Sequence, residues 1–290
     1  MNRNRILTLK NGYHLWSRTE NIGEKNKLIS VHGGPGDTHE SFEILHSYLS
    51  HIEITYYDQL GSFYSDQPDF KKDSLAQKYL NINYFVHELE EVRHFLGYKR
   101  MALLGYSWGG IIAFEYALKY PKRVSELIII GMSGKISDFD EGFYYKVRDF
   151  MGQKRTNYLV YQANKNNFQD KLYKEIIGKF YKKYFNFFSH SYTKHYVETT
   201  NTQVANYMLG KNPFRTEGSI SGWNIMADLY KVKTRTLLVI GDNDFISPKK
   251  AKETTKKMPN ANLKIIPNAT HVSLRDQPSY IFRQINNFLF

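Results

Sequence analysis

Short apolar segments that end in turns alternate with helical patterns along most of this 290-residue chain. The segments with a buried-strand pattern read KLISVHGG, IEITYYDQLG, RMALLGYS, SELIIIGMS, TRTLLVIGDND and NLKIIPNAT. Two alternating runs around Asn11-Gly12 add a β-hairpin near the start. Repeated alternation of strands and helices is typical of a mostly parallel sheet with helices on both faces. The sequence therefore predicts an α/β fold.

The alternation stops between residues 134 and 222. This segment is rich in Tyr, Phe and Lys, its apolar residues follow helical spacing, and it contains no clear buried strand. The strand–helix pattern resumes at residue 223. We therefore predict two parts: a sheet-containing core made of 1–133 and 223–290, and an inserted helical cap made of 134–222.

The composition excludes several classes of protein. The chain has no cysteine, so disulfides, thiolate metal sites and cysteine nucleophiles are excluded. The first residues lack the apolar stretch of a secretory signal, and the longest aliphatic run, LIII, is too short to span a membrane. We expect a cytoplasmic protein with no membrane partner.

The net charge of +12 raises the question of nucleic-acid binding. The lysines are scattered, however, and no helix-turn-helix, zinc-finger or RNA-binding motif accompanies them. We expect a small molecule or a short peptide as the substrate and no nucleic-acid partner. The sequence suggests no metal site and no cofactor, and it does not predict an oligomeric state.

The stretch GYSWGG places Ser107 between Gly105 and Gly109, after a strand pattern and before a helix pattern. G-x-S-x-G in this context is the nucleophile elbow, a strained turn that exposes the serine hydroxyl. A serine nucleophile needs a histidine base and a carboxylate, which follow the serine in the order acid, then histidine. Of the ten histidines only His271 follows the acidic loop GDNDF, which makes His271 the predicted base.

The acid and the oxyanion hole can be sought in the same way. Asp242 and Asp244 both follow a predicted strand, and we favour Asp244 because the longer loop lets it turn toward the catalytic edge of the sheet. The main-chain N–H of Trp108, directly after the nucleophile, is one predicted donor to the oxyanion. The glycine-rich loop 31–37 is the expected source of the second donor.

Several motifs together carry a family resemblance. They read HGGPG at 32–36, YDQLGS at 57–62, GYSWGG at 105–110, and further on GDNDFISP and NATHVSLRDQP. With them the chain resembles the proline iminopeptidase family of α/β-hydrolases. The resemblance implies an α/β-hydrolase fold, with Ser107, Asp244 and His271 as the catalytic triad. It also implies Gly34 and Trp108 as the oxyanion donors.

The chain differs from this family at the positions whose glutamates hold the amino terminus of a peptide substrate. Pro213 stands where peptidase members carry a cap glutamate, and Phe245 stands where some members carry a second one. Glu198 and Glu217 are the nearby glutamates that could substitute, and Phe245 is a candidate pocket residue. These differences predict weak hydrolysis of proline arylamides and a preference for uncharged, apolar acyl groups.

Three interpretations follow from these residues. The first is a serine hydrolase of the proline iminopeptidase type, which cleaves a small amide, an N-terminal residue or an ester through an acyl-enzyme. The second is an esterase or amidase for an apolar substrate without a free amino terminus. The third is a binding protein on an inactive hydrolase fold, and retention of the nucleophile, acid, base and both oxyanion segments argues against it.

Overall fold

The structure is a computed structural model that describes residues 2–185 and 190–290. Within that part of the chain, eight strands form one sheet in the order β1-β2-β4-β3-β5-β6-β7-β8. The strands are β1 (Arg3–Thr8), β2 (His14–Glu20), β3 (Lys27–Val31), β4 (Glu53–Tyr57), β5 (Met101–Tyr106), β6 (Val124–Ile130), β7 (Arg235–Gly241) and β8 (Ala261–Ile266). β2 pairs antiparallel with β1 and with β4, and every other pair is parallel. The predicted α/β fold is confirmed.

Helices connect and cover these strands. They are α1 (Leu45–Tyr48), α2 (Asp73–Tyr79), α3 (Ile82–Phe95), α4 (Trp108–Lys119), α5 (Ser137–Met151), α6 (Gln153–Asn164), α7 (Lys171–Tyr184), α8 (His190–Thr199), α9 (Thr202–Leu209), α10 (Pro248–Lys256), α11 (Ser273–Asp276) and α12 (Pro278–Leu289). Short 3-10 turns lie at His39–Phe42, Pro121–Arg123 and Leu229–Lys231. No helix in the described ranges is both long enough and apolar enough to cross a membrane.

The central strands are buried on both faces. In β6, Leu127 and Ile129 pack into one apolar cluster, while Ile128 and Ile130 pack into another on the opposite face. The side chains of a strand alternate between faces, so an unbroken aliphatic run supplies both clusters at once. Helices α3 and α4 contribute to the first cluster and α12 to the second. The carboxyl ends of the parallel strands therefore meet at one well-supported edge of the sheet.

Helices α5 to α9 lie between β6 and β7 in the chain. Apolar residues of α5, α6 and α7 form a third cluster, which includes Phe143, Val147 and Phe180, whereas Val204 and Met208 of α9 belong to the first cluster. The main chain enters and leaves this segment side by side, because Ile136 N–H donates to Trp223 O at 3.0 Å and Ile225 N–H to Gly134 O at 2.8 Å. The division into a core and a cap at residues 134 and 222 remains a prediction.

Helix α3, which packs in the first apolar cluster, also carries a buried glutamate that contacts the loop after β4. Glu88 on α3 is buried, and its Oε2 accepts the main-chain N–H of Leu60 at 3.1 Å. Its Oε1 has no hydrogen-bond partner within the described residues. Burial raises the pKa of Glu88 from its ordinary value of 4.5 to about 8. The folded protein therefore keeps a proton on Glu88 at neutral pH.

Retaining this proton makes stability depend on pH. Between about pH 4.5 and about pH 8 the folded state holds a proton that the unfolded state releases, so the free energy of unfolding falls as pH rises through that window. We expect Glu88→Gln to remove this part of the pH dependence. The melting temperature of the variant minus that of wild type should therefore increase as pH rises. Thermal unfolding of both proteins from about pH 5 to about pH 8 measures this difference in melting temperature. The exposed Glu253→Gln is the control, and parallel wild-type and Glu88→Gln curves would contradict the assignment.

Candidate active site

Ser107 occupies the sharp turn between β5 and α4. Its φ of +52° and ψ of −116° define a main-chain conformation that residues other than glycine rarely adopt. A Cβ on Gly105 would lie 2.2 Å from the carbonyl oxygen of Gly109, and one on Gly109 would lie 2.0 Å from that of Val31. Both glycines of the motif are therefore required by close main-chain packing. The turn holds the Ser107 side chain at the carboxyl edge of the sheet.

The structure brings Ser107, His271 and Asp244 together. The hydroxyl of Ser107 lies 3.0 Å from Nε2 of His271, and Nδ1 of His271 lies 2.8 Å from Oδ1 of Asp244. Asp244 and His271 are both buried. Asp244 accepts a hydrogen bond from the Nδ1–H group, which leaves Nε2 free to accept the proton of the serine. This geometry is that of a nucleophile, a base and an orienting acid.

Asp242 has a different environment. Its carboxylate oxygens accept the main-chain N–H groups of Asn268 at 3.0 Å and of Ala269 at 3.2 Å. These bonds shape the turn that leads from β8 to His271. Of the two aspartates that the sequence offered, the structure places Asp244 against the imidazole and Asp242 in a turn.

The two segments expected to form an oxyanion hole flank Ser107. Trp108 begins α4, so its main-chain N–H is at a helix N-terminus, where N–H groups lack intrahelical partners. Gly34 has a φ of +105° and precedes Pro35 through a cis peptide bond. Gly34 and Ser107 line the same cavity. The loop after β3 thus lies beside the nucleophile, and the role of Gly34 as an oxyanion donor remains a prediction.

A cavity of about 590 Å³ opens above Ser107 and His271. Core residues from the segments after β3 and β8 line one side, and residues from α5, α8 and α9 line the other. The full lining is Gly34, Asp37, Thr38, Glu40, Ser41, Ile44, Tyr106, Ser107, Phe139, Phe185, His195, Tyr196, Thr199, Thr200, Leu209, His271, Val272, Leu274 and Arg275. Its size suits a small molecule or the end of a short peptide.

Two carboxylates line this cavity that sequence reasoning missed. Asp37 accepts hydrogen bonds from the hydroxyls of Tyr196 and Thr200, and burial raises the pKa of its carboxyl above the usual range. Glu40 lies 2.8 Å from Nε2 of His195, so this pair joins the core to α8. Both acids follow the HGGPG loop, and their position after a strand at the catalytic edge was the signal that could have identified them.

The three residues predicted to bind substrate lie elsewhere. Glu198 is exposed on α8 and pairs with Lys194 at 3.7 Å, while Glu217 pairs with Arg215. Neither glutamate belongs to the cavity lining. Phe245 is buried in the third apolar cluster, and its ring centroid is 5.3 Å from that of His271. It therefore packs beside the imidazole, and it is not a lining residue of the cavity either.

Metal binding has no support in this region. Within residues 2–185 and 190–290, no three His, Asp or Glu side chains meet in an arrangement that could hold a metal ion.

Comparisons with known proteins show the family to which the chain belongs. The family described as the α/β-hydrolase fold matches residues 26–278. The proline iminopeptidase of Flavobacterium johnsoniae is 27% identical over 288 residues, which cover 96% of this chain and 94% of that protein. That of Elizabethkingia meningoseptica is 27% identical and covers 98% of this chain and 96% of its own.

Solved structures show the same fold. The crystal structure of proline iminopeptidase from Mycobacterium smegmatis superposes with a TM-score of 0.86 at 21% identity, covering 99% of this chain and 97% of that one. The resemblance to proline iminopeptidases that the motifs indicated is confirmed by these relatives. The chain belongs to the α/β-hydrolase fold family and is a hydrolase.

Proposed function

We propose that this hydrolase acts through an acyl-enzyme on Ser107 and removes the N-terminal residue of short peptides. The observation that carries the proposal is the hydrogen-bonded row of Ser107, His271 and Asp244 at the floor of the cavity. Ser107 and His271 line the cavity, and the buried carboxylate of Asp244 lies behind the imidazole.

The mechanism follows from this row of side chains. The serine oxygen attacks the substrate carbonyl as its proton moves to Nε2 of His271, and the main-chain N–H groups of Gly34 and Trp108 stabilise the oxyanion. The imidazolium then gives the proton to the leaving amine, and the C–N bond breaks. A water molecule, deprotonated by His271, attacks the acyl-enzyme; the imidazolium then returns the proton to the oxygen of Ser107 as the acyl C–O bond breaks and the acid is released. Asp244 holds the imidazole in the tautomer that both steps require.

The substrate class is supported by the relatives and by Asp37. The relatives are named proline iminopeptidases, and such a substrate carries a free amino group. A carboxylate whose pKa is raised by burial is stabilised by a cation brought close to it. Asp37 and Glu40, which belong to the core, therefore supply the acidic groups that are missing at positions 213 and 245. The weak hydrolysis of proline arylamides predicted from Pro213 and Phe245 stays a prediction, which the substrates described below test.

The segment 134–222 acts, in this proposal, as a cap over the nucleophile. Phe139, Tyr196 and Leu209 come from its helices or lie beside them and line the cavity. Closing the cavity from above restricts the substrate to small molecules and chain ends, which is consistent with removal of a terminal residue.

A second candidate is an esterase or amidase for apolar acyl groups without an amino terminus. Phe139 lines the cavity, and the centroid of its ring lies 5.3 Å from that of His271, so apolar surface reaches the catalytic base. Such a wall favours an uncharged acyl group over an ammonium.

Three substrates separate the two candidates: a proline arylamide with a free amine, its N-acetylated form, and a short-chain aryl ester. We expect the free amine to be cleaved at least about 10-fold faster than the acetylated form, because a charge-assisted contact contributes roughly 1.5–3 kcal/mol. Asp37→Asn should reduce that preference, whereas Glu217→Gln, outside the cavity, should not. Equal rates, or faster cleavage of the acetylated form, would support the second candidate. Ser107→Ala is the blank for all three substrates.

A further inference from the structure

Gln59 connects the two segments that flank the nucleophile. It follows β4 and is buried, and its side-chain Oε1 accepts the indole N–H of Trp108 at 2.8 Å. Its Nε2 donates to the carbonyl oxygen of His32 at 3.2 Å. Its main-chain N–H also donates to Nε2 of His32 at 3.1 Å. One side chain thus holds the start of the HGGPG loop and the first residue of α4.

His32 reinforces this connection as a neutral side chain. Its Nδ1 lies 2.8 Å from the carbonyl oxygen of Gly33, which only accepts, so the proton is on Nδ1 and Nε2 accepts from Gln59. Burial lowers the pKa of His32 to about 4, so the ring is uncharged at neutral pH. The position of His32 is therefore fixed by Gln59 on one side and by its own loop on the other.

The two expected oxyanion donors belong to these two segments. The N–H of Gly34 comes from the loop that His32 begins, and the N–H of Trp108 comes from the residue whose indole Gln59 holds. An oxyanion hole works only when both donors lie about 2.7–3.1 Å from one oxygen. Close packing of Gly109 against the carbonyl of Val31 limits how near the segments come, and Gln59 resists their separation.

We propose that Gln59 is a positioning residue for the oxyanion hole, which sets the distance between the N–H groups of Gly34 and Trp108. It touches neither the substrate nor the nucleophile, since it is not part of the cavity lining. This inference rests on the proposed acyl-enzyme chemistry. Gln59 acts on the transition state and not on the substrate, because only the charged oxyanion depends on both donors.

The test compares two variants in the full chain. Gln59→Leu removes both side-chain hydrogen bonds at similar volume, and Gln59→Glu retains an acceptor for Trp108 but cannot donate to His32 when it is ionised. We expect Gln59→Leu to lower kcat about 10- to 100-fold with KM changed by less than about 3-fold, the effect of a displaced catalytic group. The affinity for a boronic acid, which becomes tetrahedral on Ser107, should fall by the same factor. Gln59→Glu should lose boronic acid affinity as well.

The control is Gln162→Leu, which also replaces a buried glutamine that hydrogen-bonds a neighbour, Asn167, but lies in α6 away from the cavity. It should keep wild-type kcat and boronic acid affinity. Unchanged kcat in Gln59→Leu would overturn the proposal. So would a loss confined to KM, or a loss of kcat with boronic acid affinity intact. A Ser107→Ala variant with wild-type activity would instead overturn the acyl-enzyme chemistry itself. If Gln59→Leu does not fold, Gln59→Glu decides the question by the same two measurements.

Discussion

Ser107→Ala and His271→Ala should each lower kcat on the order of 10³-fold or more, with little change in melting temperature. The serine oxygen forms the acyl bond, and Nε2 of His271, 3.0 Å from it, is the group placed to take its proton. Residues that act as one unit lose nearly the full catalytic effect when any of them is removed. Steady-state rates on the best substrate of the three described above measure the loss.

Covalent labelling gives an independent measure of the same assignment. A fluorophosphonate should add one adduct to Ser107 in the wild type, none at that position in Ser107→Ala, and react slowly with His271→Ala. His46→Ala is the matched control, because this partly buried histidine bonds the carbonyl of Glu43 and does not line the cavity. Wild-type turnover in His271→Ala would show that another group is the base.

The sheet and the elbow could be predicted because local sequence determines them. An aliphatic run such as LIII satisfies a strand buried on both faces, and all four of its residues are buried in β6. Gly105 is required by main-chain packing against Gly109 within the elbow itself, so its spacing from Ser107 is visible in the sequence. The order of elements then leaves one histidine in a position to reach the serine. These inferences need no knowledge of distant contacts.

The walls of the cavity could not be predicted in the same way. Glu40 meets His195 across 155 residues of chain, and Asp37 meets Thr200 across 163. Nothing in either segment indicates that the other lies opposite. Glu198 illustrates the converse, since it is close in sequence to the lining residues Tyr196 and Thr199 yet is exposed. On a helix, a shift of two residues turns a side chain to another face.

The assignment of Asp244 rather than Asp242 as the acid, which the sequence analysis favoured, can be tested by comparing the same substitution at both positions. Asp244→Asn should lower kcat on the order of 10³-fold or more, and Asp242→Asn only a few-fold, at most about 10-fold. Both changes remove one charge from the same loop, so each controls for the general effect of that charge. The expected losses of kcat differ because the two carboxylates make different hydrogen bonds.

Oδ1 of Asp244 accepts two hydrogen bonds. One comes from Nδ1–H of His271 at 2.8 Å and the other from the main-chain N–H of Ile246 at 3.2 Å. In Asp244→Asn, an oxygen in that position no longer carries the charge that stabilises the imidazolium. An amide NH₂ there would donate to Nδ1, move the ring proton to Nε2, and leave no acceptor for the serine proton. Asp242→Asn loses at most one of two hydrogen bonds to the turn before His271, which weakens the support of the loop without changing the tautomer. Measured kcat values and melting temperatures of the two variants test this, and comparable losses of kcat, or a larger one at Asp242, would assign the acid to the other residue.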